Sequence, residues 1–330
     1  MKRRDFLLAA AMLAPAIRHA SAQQQAAKKR LAAILYTPAD FRIGGHPLTT
    51  AFLQELQRLG YVEGETLVID RWQYQAGKLD ELARKVAESN PDVISSPGTP
   101  MTLSLKKATT TIPIVAITGD PVKFGLLTNL VRPGGNITGV SVDAGVEVWA
   151  KRLELLSSAV PKLNKVVYVS SDYSGTGAGS QAVSDAAQKL GISLVPVILK
   201  SPFGEAEFRN AFSSIQRDQV DGLMTADEGH VLLPQGRLLV QLVNELRLPA
   251  MFPYRELAQH GGLMSYSSDI KYVLLRQAGQ IAEILKGANP GDIPYWQADR
   301  FELVVNLKTA TALGIEIPAV LVAGAATVIE

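Results

Sequence analysis

The 330-residue chain contains no cysteine. That excludes disulfides, thiol catalysis, cysteine-bound zinc and a lipoprotein anchor. Histidine is scarce. Of the four present, His19 lies in the N-terminal segment, and His46, His230 and His260 are isolated in sequence. The chain has no Walker phosphate loop, no G-x-S-x-G elbow and no H-E-x-x-H pair, the signatures of phosphate-loop NTPases, α/β-hydrolases and zinc peptidases. An excess of one charge is also missing. The formal net charge is +2, and without residues 1–22 the chain holds 29 basic and 30 acidic residues. No basic arm is left to bind nucleic acid. The two longest apolar runs, 6–17 and 317–329, fall short of the roughly 20 residues a membrane-spanning helix needs.

The N-terminus carries an address. Arg3-Arg4-Asp5-Phe6-Leu7 sets twin arginines before an apolar run, and Ala20-Ser21-Ala22 supplies a small-x-small cleavage pattern. This reads as an export signal of the twin-arginine type, cleaved after Ala22. Residues 23–29 form a polar, flexible start. The mature chain is expected in the periplasm.

The remainder has ordinary globular composition, 47% apolar and 19% charged, and a length that suits two domains. Short apolar runs bounded by Gly and Pro alternate with helical periodicity, the pattern of a doubly wound parallel sheet. The stretch 92–122 shows it best. Asp92-Val93-Ile94-Ser95 runs into Gly98-Thr99-Pro100, and Ile114-Val115-Ala116-Ile117-Thr118 runs into Gly119-Asp120-Pro121. A second strand–helix–strand series begins at Asp221 and reaches Leu248-Pro249. The expected fold is α/β: two doubly wound parallel-sheet lobes around a central cleft. Lobe one is expected at 30–141 plus about 264–290, and lobe two at 142–263 plus about 291–330. Ligands bind beyond the carboxyl ends of such strands and between domains.

Several residues at strand ends carry binding chemistry. Thr99 with Pro100 opens a helix, whose free N–H groups and positive dipole end suit a carboxylate; the alternative is a cap alone. Asp120 either accepts from a ligand ammonium or hydroxyl, or caps its own turn. Asp227 and Glu228 occupy the matching loop of the second half and either face a cationic group or are solvated, with Asp227 the favoured contact. Tyr36, Tyr173 and Tyr254 are placed to stack on a ligand, or to pack in the core or rim. Arg255 either pairs with a ligand carboxylate or braces the hinge. Gly175-Thr176-Gly177-Ala178-Gly179 lacks the G-x-G-x-x-G spacing of a dinucleotide loop, and no acidic residue ends the following strand. Ser174, in that loop, suits a small polar ligand instead. No cofactor or metal is expected.

An ordered set of strings carries a resemblance. It includes Gly60-Tyr61-Val62-Glu63-Gly64, Gly98-Thr99-Pro100, Gly119-Asp120-Pro121-Val122 and Arg132-Pro133-Gly134-Gly135-Asn136-Ile137-Thr138-Gly139. Lys151-Arg152-Leu153-Glu154, Gly261-Gly262-Leu263-Met264-Ser265-Tyr266 and Phe301-Glu302-Leu303-Val304-Val305-Asn306 complete it. Across residues 30–330 the chain resembles ABC-transporter substrate-binding proteins of the tryptophan/tyrosine-type group. The resemblance implies a periplasmic-binding-protein type I fold with three crossings between lobes. It also implies hinge closure on a small polar or amino-acid-like ligand, and delivery to an ABC permease and its ATPase by a monomer. The ligand contacts expected are Tyr36, Gly98, Thr99, Pro100, Asp120, Tyr173, Ser174, Asp227, Tyr254 and Ser265. The loops at 40–46 and 171–180 depart from the family pattern and bear on ligand choice. Two other readings fit such a chain: an exported α/β enzyme acting on a small metabolite, and a ligand sensor for a signalling receptor.

Overall fold

The computed structural model describes residues 27–36, 41–75, 77–142, 145, 147–171, 177–232 and 234–330. The expected export signal, its expected cleavage point and the polar start through residue 26 lie outside them.

The first lobe begins with β1 (Lys29–Leu35), α1 (Pro47–Arg58), β2 (Leu67–Gln73), α2 (Leu79–Glu88) and β3 (Val93–Pro97). It continues with α3 (Thr99–Ala108), β4 (Ile114–Thr118) and β5 (Ile137–Ser141). The strands pair in parallel, β1 with β2 and β3, β4 with β3 and β5. The uninterrupted apolar run of β1 has a simple cause. Leu31 and Ala33 face one core with Phe52 and Leu56 of α1, while Ala32 and Ile34 face a second core with Ala83, Val86, Met101 and Leu105 of α2 and α3. A strand covered by helices on both faces needs apolar residues at every position.

The second lobe repeats the plan. Its elements are α4 (Glu147–Ala159), β6 (Lys165–Ser171), α5 (Ala178–Leu190), β7 (Ser193–Leu199), α6 (Glu205–Ser213) and β8 (Gly222–Thr225). Then follow α7 (Gly229–Leu232), α8 (Gly236–Glu245), β9 (Ala250–Phe252), α9 (Arg255–Gln259) and β10 (Met264–Ser268). The chain next makes α10 (Ile270–Leu285), β11 (Trp296–Gln297), β12 (Phe301–Asn306), α11 (Leu307–Leu313), α12 (Ala319–Gly324) and β13 (Thr327–Ile329). Strand order is β11-β5-β4-β3-β1-β2 in the first sheet and β13-β12-β10-β9-β8-β6-β7 in the second. One pair, β10 with β12, is antiparallel.

The crossings correct two expected boundaries. Met264–Ser268 was expected in lobe one, yet β10 belongs to the second sheet, beside β9. The reason is the turn before it. A Cβ on Gly262 would lie 2.5 Å from the Phe252 ring and 2.8 Å from the Leu257 carbonyl, so the chain is drawn flat against β9 before β10 starts. The crossing comes at Asp269, whose side chain caps α10 by accepting from Tyr272 N at 3.0 Å. Helix α10 then packs Ala278, Ile281 and Leu285 into the core of the first lobe. Residues 291–297 were expected in lobe two, yet β11 pairs with β5 of the first sheet. Tyr295 anchors this return, with its hydroxyl 2.6 Å from Thr118 Oγ1 and its N–H donated to the Leu130 carbonyl at 2.7 Å. The last crossing lies at 298–300, where the Asp269 N–H meets the Arg300 carbonyl at 3.0 Å. There the Arg300 guanidinium stacks 4.2 Å over the Tyr272 ring, so two crossings are held side by side.

Among the described residues, no helix is long and apolar enough to cross a membrane.

Candidate functional site

The carboxyl ends of β1, β3, β4, β8 and β9 converge on one cavity of about 570 Å³ between the lobes. Its size lies in the range of small-molecule sites. The body is apolar: Ile34, Phe41, Leu48, Phe52 and Phe124 line it from the first lobe, and Trp149 from the second. Its polar groups are few and grouped.

On the first-lobe side, Gly98 is the pivot. It adopts φ +73°, a conformation that favours glycine. A Cβ there would lie 3.2 Å from the Tyr36 hydroxyl, so the phenol sits directly over this peptide. Helix α3 starts at once, with Thr99 Oγ1 accepting from Gly119 N at 3.2 Å and tying β3 to the turn after β4. Behind them, the Gln277 amide of α10 donates to Ser95 Oγ and to the Val115 carbonyl, both at 3.1 Å. The α3 N-terminus is thereby fixed to two strands and a crossing helix.

On the second-lobe side, Arg152 of α4 is 1% exposed. Its Nη2 meets Asp227 Oδ2 at 2.7 Å and its Nε donates to the Tyr266 carbonyl at 2.7 Å. The other Asp227 oxygen accepts from the Tyr254 hydroxyl. Asp227 is therefore spent on lobe-two partners. Glu228 beside it is 3% exposed, and its two oxygens accept from Ser171 N and Ser171 Oγ, each at 2.9 Å. Burial, then the Asp227 charge and the hydrogen bond to it, push the Tyr254 phenol far up. Tyr36 is also pushed up, first by burial, then by Tyr74 and by the Asp227 charge from the opposite lobe. Both phenols stay protonated donors at any physiological pH.

Six expected contacts line the cavity: Tyr36, Gly98, Thr99, Pro100, Asp227 and Tyr254. Two do not. Asp120 turns back on its own loop, where Oδ1 accepts from Val122 N at 3.0 Å and Lys123 N at 3.1 Å; its neighbour Gly119 faces the cavity instead. Ser265 is 0% exposed, the second residue of β10, away from that strand's carboxyl end and off the cavity wall. Tyr173 and Ser174 lie outside the described residues. Arg255 braces the sheet edge, bonding Glu302 at 3.0 Å and Thr327 Oγ1 at 2.9 Å. Replacing Asp120 with alanine should leave ligand affinity unchanged in a titration and cost about 0.5–1 kcal/mol of stability from the lost turn cap.

Sequence reasoning passed over Trp149, Arg152 and Gln277. The signal for Gln277 was present: Gln277 and Gln280 sit among Val273, Ala278 and Ile281 on the buried face of α10, where a glutamine needs a partner. Arg152 had no such mark. It stands next to Lys151 and two residues from Glu154, and nothing local in the sequence tells that it is buried.

A family model described as ABC transporter substrate binding protein matches residues 48–329. The tyrosine-binding protein of Clostridioides difficile (strain R20291) is 28% identical over 272 residues, covering 80% of this chain and 76% of that protein. Among solved structures, a conserved domain protein from Vibrio cholerae superposes with a TM-score of 0.79 at 25% identity, over 91% of this chain and 99% of its own. The ABC domain from Streptococcus pneumonia in complex with L-Trp gives a TM-score of 0.75 at 21% identity, over 92% of this chain and 100% of its own; that likeness is one of fold.

Proposed function

The chain belongs to the ABC transporter substrate-binding protein family, and from that premise we propose that it captures an amino-acid-like solute with a bulky apolar side chain in the inter-lobe cavity. Members of this family bind small molecules for ABC transporters outside the cytoplasmic membrane and are not enzymes. One observation carries the ligand reading: a largely apolar cavity built jointly by both lobes, with a helix N-terminus on one wall and buried carboxylates on the other. The relatives bear on the same point, since one is named for tyrosine and another was solved with L-Trp.

The mechanism follows from the two-sided lining. A ligand drives closure only if it binds the closed form better than the open one. Contacts to Gly98 and Thr99 from one lobe and to the Asp227–Glu228 turn from the other exist together only when the lobes are shut. The closed form then docks, as a monomer, on the permease and its ATPase. Export by the twin-arginine route with cleavage after Ala22 would place the chain in the periplasm.

The test is a thermal-shift screen of the proteinogenic amino acids, followed by small-angle scattering with and without each hit. At about a hundredfold excess over Kd, a true ligand adds about 2.7 kcal/mol of stability. At least one aromatic or large aliphatic amino acid, or a close derivative, should raise the melting temperature and contract the molecule. Stabilisation without contraction would rule out closure, and no shift from any of them would remove the amino-acid-like reading.

A further inference from the structure

We propose that the solute carries a hydroxyl group on an aromatic ring, and that Ser95 and Gln277 recognise that hydroxyl at the floor of a recess in the first lobe. The inference rests on the solute-binding reading above and names the ligand class that reading leaves open.

Strand alternation sets the recess. Successive side chains of a strand point to opposite faces, so Ser95 of β3 shares a face with Val93, which packs in the core built with α1 and α10. On that face the cavity is walled by Phe41, Leu48 and Phe52 on one side and by Ile270 and Leu274 of α10 on the other. Ser95 and Gln277 line the cavity too, a pair of neutral polar side chains set among apolar ones. An aromatic ring suits such a slot, and its far edge meets the pair.

Hydrogen-bond accounting carries the proposal. Gln277 is 2% exposed, and its amide nitrogen meets the Val115 carbonyl and Ser95 Oγ, each at 3.1 Å. A backbone carbonyl only accepts, so the nitrogen and not the oxygen must face Val115. Both amide hydrogens are then spent, and Ser95 is the acceptor in the second bond. Two capacities remain. No described residue donates to Gln277 Oε1, and none accepts the Ser95 hydroxyl hydrogen. Gln280, three residues on, has its carbonyl oxygen sealed inside the protein without a partner. Gln277 Oε1 and Ser95 Oγ are not sealed in this way, and the space both residues border is the cavity. One acceptor beside one donor matches a hydroxyl group, which gives one hydrogen and takes another. An indole N–H offers a donor alone. A plain phenyl or aliphatic side chain offers neither and would cover both groups without pairing them, at a cost of about tenfold in affinity for each. A site that pairs a hydroxyl discriminates against the analogue lacking it more sharply than an apolar slot can.

A matched series tests this on the purified mature chain: L-phenylalanine, 4-fluoro-L-phenylalanine, L-tyrosine and 3-hydroxy-L-phenylalanine, each titrated by calorimetry at neutral pH. At least one of the two hydroxylated rings should bind about tenfold or more tightly than both of the others. The fluorinated ring separates hydrogen bonding from size, since it fills nearly the same space and has no hydrogen to give. In Ser95→Ala the preference for the hydroxylated ring should fall to within about threefold, with a melting temperature close to that of the parent. A purely structural role for Ser95 would lower stability and leave that ratio where it was. If the variant fails to fold, the series on the unaltered protein still decides. L-phenylalanine or its fluorinated form binding as tightly as the better hydroxylated ring overturns the proposal and leaves the solute-binding reading standing. So does an unchanged ratio in a folded Ser95→Ala. If none of the four binds, the hydroxylated-ring class is wrong, and the thermal-shift screen decides separately whether the solute-binding reading stands.

Discussion

Changing Arg152 to methionine is expected to lower the unfolding free energy by about 3–5 kcal/mol, the usual cost of breaking a buried ion pair from one side. Arg152 is 1% exposed and the Asp227 side chain 9% exposed. Without it, Asp227 would keep only the Tyr254 hydroxyl, and the Tyr266 carbonyl would lose its 2.7 Å donor. Methionine fills much of the volume, so the loss reads electrostatics more than packing. Urea denaturation measures it. The double variant Arg152→Met with Asp227→Leu should recover most of the deficit, because removing both partners leaves no orphaned charge. A single-variant loss below about 1 kcal/mol would show that the pair does not hold this wall together. Ligand binding should weaken in both variants. Arg152 connects α4 to the turn after β8 and, through Asp227, to Tyr254 after β9, and this network orients the second-lobe half of the cavity.

That network also marks where sequence reading stops. Strands covered on both faces leave a local record, since their central residues are apolar, and the runs 31–35 of β1, 114–117 of β4 and 166–169 of β6 carry it, while β3 shows it only in Val93-Ile94 before the Pro97-Gly98 turn. The helix start at Gly98-Thr99-Pro100 was legible too, because its backbone demands particular residues. An ion pair 75 residues apart leaves no local trace. Asp227 was visible as a strand-end carboxylate, but whether its charge is open to a ligand depended on an arginine in another element. Asp120 shows the converse: the same residue type at the same kind of strand end spends its oxygen on its own loop. The crossings were misplaced for a related reason. β11 has two residues, too few for any periodicity, and it is held in the first lobe by the Tyr295–Thr118 contact, 177 residues apart in sequence. Ser265 was expected only through the resemblance, and its place as the second residue of β10 keeps it from the carboxyl end where the cavity opens.

Gly179→Ala should reduce ligand affinity by about a hundredfold, or about 2.7 kcal/mol, although alanine is the better helix former by nearly 1 kcal/mol. Gly179 lies in the first turn of α5, and an added Cβ would sit 2.3–2.5 Å from three atoms of the Trp149 indole. Ordinary carbon contact needs about 3.5–4 Å, so the ring must move by about 1 Å or the two helices must part. Trp149 is 7% exposed and packs in the core of the second lobe, which leaves the cavity it lines as the open side. The indole then takes space that the ligand's apolar body requires. Overpacking of this kind also costs about 1–3 kcal/mol of stability, an effect comparable to the loss of binding. Calorimetric titration of the folded variant reads the affinity, and Trp149→Leu in the Gly179→Ala background should return part of it by making room for the methyl group. A Gly179→Ala protein that binds and melts like the parent would show that the helices yield instead, and that Trp149 does not set the shape of the site.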